Sequence, residues 1–88
     1  MAAKKAHKNQ LARIAFQKEL GESIAEWAGI QKAMHLTDRM INKKFYLTFE
    51  MTITQALSEP LAEMTTIKDD IDSDIRRNGW YKLGTLGR

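Results

Sequence analysis

Eighty-eight residues with no cysteine allow one small domain and exclude disulfides, thiolate chemistry and cysteine zinc sites. An apolar fraction of 43% against 28% charged argues for a folded chain, and no apolar run approaches the roughly 18 residues that span a bilayer. The net charge of +3 is unevenly placed: residues 1–18 sum to +5 with no acid, residues 19–75 to −6, and residues 76–88 to +4, again with no acid. Basic ends around an acidic middle predict a centre that folds and ends that reach for an anionic partner.

The segment 1–8 has no apolar periodicity and reads as a basic arm carrying Lys4, Lys5 and Lys8. Arg13, Gln17 and Lys18 interrupt any signal-peptide core. Asn9 is a candidate helix cap. Leu11, Ile14, Phe16, Leu20, Ile24, Trp27, Ile30 and Met34 then recur at spacings of three and four, predicting a helix near 9–34. Gly21 and Gly29 within it suggest the close approach of a crossing helix.

Thr37 and Asp38 suit the cap and first turn of a second element over 38–57. Steps of four through Ile41, Phe45, Phe49, Ile53 and Leu57 make a helical stripe, with Met40, Leu47 and Met51 forming a second. Steps of two over 45–53 make a strand pattern instead. A lone strand has no ladder partner within this chain and would have to pair across a dimer, so helix is the preferred reading. The second stripe marks Met40, Leu47 and Met51 as a candidate protein interface, in a chain rich in adaptable methionines.

Pro60 forces a break, since proline suits only the first turn of a helix. Leu61, Met64, Ile67, Ile71 and Ile75 predict a third helix over 59–77, with Asp72 and Arg76 at a pairing distance of four and Asn78-Gly79 as a stop. The expected fold is therefore all-α: one domain over 1–88, with an arm at 1–8, three principal helices in 9–77, and an Arg/aromatic tail at 78–88.

No constellation for catalysis is present. Asp70, Asp72 and Asp74 match the opening of a calcium loop, but Ile75 stands where its turn needs glycine and Tyr81 where it needs a bidentate acid. His7 and His35 have no companion at ligand spacing, and no phosphate-cradling glycine loop occurs. The expectation is a non-enzyme without cofactor, metal, membrane span or small-molecule substrate, working inside the cell in the cytoplasm or within a virion. Its cations Lys4, Lys5, Lys8, Arg13, Arg76, Arg77, Lys82 and Arg88, with Trp80 and Tyr81 for stacking, suit a nucleic-acid backbone. No known base-reading module fits. The expected role is a small accessory or assembly subunit of a nucleoprotein complex. The alternative is a protein-only binder (virion component, inhibitor or adaptor), and a protein partner or homo-oligomer is expected in either case.

Overall fold

A computed structural model describes the backbone of residues 2–86 and the side chains of residues 10–78. The described residues form four helices and no strand: α1 (Ala2–Ala33), α2 (Asp38–Phe49), α3 (Ile53–Ser58) and α4 (Leu61–Leu86). The fold is all-α, and the cross-dimer strand at 45–53 is not formed. The long helices α1 and α4 pair side by side, and the short α2 and α3 pack against that pair, α2 beside the C-terminal half of α1 and α3 beside Arg13 and Gln17. The result is elongated, 58 × 27 × 16 Å with a radius of gyration of 15.4 Å, against about 12 Å for a compact chain of this length. Much helix surface is consequently left without an intramolecular partner.

The core is built from the stripes that the periodicity marks. Leu20, Ile24 and Trp27 of α1 meet Met64, Ile67 and Ile71 of α4, and Ile41, Phe45 and Ala56 close the layer from α2 and α3. Trp27 is its centre. Its ring lies edge-on to Phe45 at 5.4 Å and to Phe49 at 5.7 Å, and those two rings stack tilted at 4.7 Å. Such geometries let the positive ring edge face the negative ring face. Leu11, Ile14 and Met34, read in the sequence as one stripe, are exposed: Leu11 and Ile14 lie about 180° and about 120° around α1 from Leu20, where Arg13 and Gln17 take the inward positions against α3, and Met34 follows the last residue of α1.

Several boundaries differ from the sequence reading. Helical backbone begins at Ala2, before the Asn9 cap, and α4 passes through Asn78-Gly79 to Leu86. Among the described residues nothing lies within 4 Å of a Cβ built on Gly21 or Gly29, so none of the described helices crosses there. The element expected over 38–57 is two helices. Glu50 adopts left-handed backbone (φ 60°) and donates its N–H to Tyr46 O at 2.7 Å, ending α2. Thr52 and Gln55 then open α3 with a reciprocal capping box: Gln55 N donates to Thr52 Oγ1 at 3.1 Å, and Thr52 N donates to Gln55 Oε1 at 2.8 Å. The break at Pro60 occurs as predicted; its carbonyl accepts from Met64 N at 2.9 Å.

The end of α1 is a Schellman turn. His35 N donates to Lys32 O at 2.9 Å and Leu36 N to Gln31 O at 3.2 Å, with His35 itself left-handed at φ 68°. Thr37 then caps α2, accepting from Met40 N at 3.3 Å.

Candidate binding surfaces

Asp72 and Asp74 of the acidic middle help to hold α1 to α4. Asp72 Oδ1 accepts from Ser23 Oγ at 2.8 Å and Asp72 Oδ2 from Lys68 Nζ at 2.7 Å, one turn earlier on the same helix. The helical pair therefore forms at 68 and 72, rather than at 72 and 76. Burial by itself raises the Asp72 carboxyl, but hydrogen bonds from Lys68 and Ser23, with the charges of Lys68 and Arg76, outweigh it and hold the group below 3.8. Lys68 is raised above 10.5, first by its hydrogen bond to Asp72 and against the effect of burial, with the charges of Asp72, Glu19 and Asp69 adding to the rise. Asp74 Oδ2 accepts from Trp27 Nε1 at 2.7 Å and from Asn78 Nδ2 at 3.2 Å. Asp70, Asp72 and Asp74 thus face different neighbours on a continuous helix. Among the described residues, no three His, Cys, Asp or Glu side chains converge as a metal site would require.

Of the cations expected to meet phosphate, Arg13, Arg76 and Arg77 are described. Arg13 is half-buried and already engaged: Nε donates to Glu59 O at 3.2 Å and Nη2 to Ser58 O at 3.1 Å. Beside it, Gln17 Nε2 donates to Leu57 O at 2.7 Å. The last carbonyls of a helix lack intrahelical partners, and these two α1 side chains supply them for α3. Arg13 is a cap placed by tertiary structure, favoured by the negative end of the helix it meets. Arg76 and Arg77 are exposed; Arg76 Nη2 lies 3.3 Å from Ser73 Oγ. Among the described residues the ion pairs are Lys68–Asp72 and the exposed Lys32–Asp38 contact at 3.5 Å, so neither arginine is neutralised there. Lys4, Lys5 and Lys8 lie on the α1 backbone, and Trp80, Tyr81 and Lys82 on that of α4. Their side chains, and all of Arg88, fall outside the described residues.

The proposed protein interface divides. Met40 is 53% and Leu47 69% exposed on the outer face of α2, whereas Met51 is half-buried and packs against the core. The left-handed residue at Glu50 turns the chain, so Met51 no longer continues the stripe of Met40 and Leu47. The structure adds three residues to that face. Tyr46 is 53% exposed, and Arg39 and Lys43 lie at steps of four towards Leu47, without an ion pair among the described residues. Their signal was available in the sequence: once Ile41, Phe45 and Phe49 are placed inward, positions 39, 43 and 47 must point outward. Lys44, at the edge of the face, donates to the buried Gln31 Oε1 at 2.7 Å.

A shallow groove of about 300 Å³ lies where the α3 end of the molecule meets α4. Met51 and Ile67 line it with Glu59, Glu63, Thr66 and Asp70. No helix among the described residues is long and apolar enough to cross a membrane. Comparison of the chain with protein-family models, with curated proteins and with solved structures finds no match.

Proposed function

We propose that this protein is a non-catalytic accessory or assembly subunit that rests on nucleic-acid backbone inside a larger nucleoprotein complex. The observation that carries this reading is the state of Arg76 and Arg77. They follow a run of four aspartates, the natural counter-ions for them, yet Asp72 and Asp74 are taken by Lys68, Ser23, Trp27 and Asn78. The two guanidinium groups, on consecutive residues of α4, are left exposed and rich in donors suited to phosphate oxygens. Lys4, Lys5, Lys8, Lys82 and Arg88 add positive charge at the ends, and Trp80 and Tyr81 add rings able to stack on unpaired bases. Arg13 contributes to the fold by donating to the carbonyls of Ser58 and Glu59.

Light scattering of the chain with short single- and double-stranded oligonucleotides, at low and moderate salt, tests the reading. A complex that dissolves as salt rises and is lost in the Arg76→Ala/Arg77→Ala variant supports it. The absence of any complex at low salt would sink it. The exposed Met40, Tyr46 and Leu47 favour a second reading, a protein-only binder; oligonucleotides would then have no effect, while Leu47→Glu would abolish capture of the protein partner.

A further inference from the structure

We infer that the outer face of α2 docks into the acidic groove of a second copy of this chain, building a head-to-tail assembly. The two surfaces match in chemistry. The groove sets the apolar side chains of Met51 and Ile67 beside three carboxylates, Glu59, Glu63 and Asp70, none of them in an ion pair among the described residues. What it fits is an apolar tip flanked by cations. The face of α2 has that form: Leu47 is the most exposed of the large apolar side chains described, with Lys43 one turn before it, Arg39 two turns before it and Met40 alongside.

The spacings also agree. Lys43 to Leu47 covers four residues, about 6 Å of helix, and Glu63 to Ile67 covers the same four. Leu47 seated on Met51 and Ile67 therefore brings Lys43 level with Glu63, and Arg39 lies a further turn along. A chain cannot satisfy its own groove this way, because the opposite side of α2 is fixed inward by buried Ile41 and Phe45. The contact joins two different patches, so it propagates from copy to copy into a ring or an open string. It also stands apart from nucleic-acid contact through Arg76 and Arg77, and its test contains no nucleic acid.

One helical face against a shallow groove is smaller than the roughly 800 Å² per partner of a stable interface, so association is weak and sensitive to salt. Sedimentation of the 88-residue chain at concentrations up to about 1 mM, at low salt, reads it. The wild type is expected to exceed its monomer mass of 10.1 kDa as concentration rises. Leu47→Glu, Lys43→Glu and Glu63→Lys should each return it to the monomer, with helicity by circular dichroism unchanged. Mixing Lys43→Glu with Glu63→Lys should regain mass, because each variant keeps the surface that the other has lost. A wild type that stays monomeric throughout, or an assembly indifferent to Lys43→Glu and Leu47→Glu, overturns the inference. So does a mixture in which the two charge variants remain monomeric.

Discussion

The indole N–H of Trp27 donates to Asp74 Oδ2 at 2.7 Å, joining the fully buried centre of α1 to a carboxylate 47 residues later on α4. That bond makes one aspartate of an acidic run structural. Asp74→Ala leaves a buried donor without a partner and should cost about 1–3 kcal/mol. Asp69→Ala, exposed and more than a turn earlier on α4, should stay within about 0.5 kcal/mol. Urea unfolding of the two variants checks the contrast, and equal effects would remove the role assigned to Asp74.

The Lys68–Asp72 pair gives stability a defined pH window. Asp72 has its folded pKa depressed, so its contribution is present above 3.8 and disappears as pH falls through the lower folded value. Lys68 has its folded pKa raised, so its contribution is complete below 10.5 and disappears as pH climbs through the higher folded value. Thermal unfolding should therefore weaken at both extremes, and Asp72→Asn should flatten the acid limb. An acid limb identical to wild type would show that Asp72 is not responsible.

His35 and Glu50 hold left-handed backbone without being glycine. A side chain in that region costs roughly 1–2 kcal/mol, part of which glycine returns as extra freedom of the unfolded chain. His35→Gly and Glu50→Gly should each stabilise by about 0.5–1 kcal/mol, raising the melting temperature by a few degrees. Destabilisation by either would mean that its side chain makes a contact worth more than the strain.

Arg13 acts as a clasp on α3. Arg13→Met keeps the aliphatic stem but deprives Ser58 and Glu59 of their donors, and should cost about 1–2 kcal/mol. Amide hydrogen exchange should speed up in α3 before it does in the α1–α4 pair. Uniform exchange across all helices would contradict a local clasp.

These residues show what a sequence can and cannot reveal here. The buried stripes of α1 and α4 were legible because spacings of three and four are enforced by the helix itself. Helix was preferable to strand at 45–53 because no partner strand existed. The split at Glu50 was hidden: glycine usually marks a left-handed residue, and in this chain Gly21 and Gly29 are helical while His35 and Glu50 turn. That single residue also misplaced Met51, by carrying the Met40–Leu47 stripe past the point where the helix ends. Arg13 read as a cation for phosphate because its real partners, carbonyls 45 and 46 residues away, become neighbours only when α3 docks on α1. Arg39 and Lys43 were concealed by a charge count that placed them in an acidic block, although alone on α2 they form a basic face.

The most direct test of the central claim is the salt dependence of oligonucleotide binding, followed by fluorescence anisotropy, for wild type and for Arg76→Ala/Arg77→Ala. Each phosphate contact on a single strand contributes about 0.7 to the slope of log affinity against log salt. Wild type is expected to show a steep slope and the double variant one shallower by about 1.4, with helicity preserved. Equal slopes, or no binding by the wild type at low salt, would contradict it.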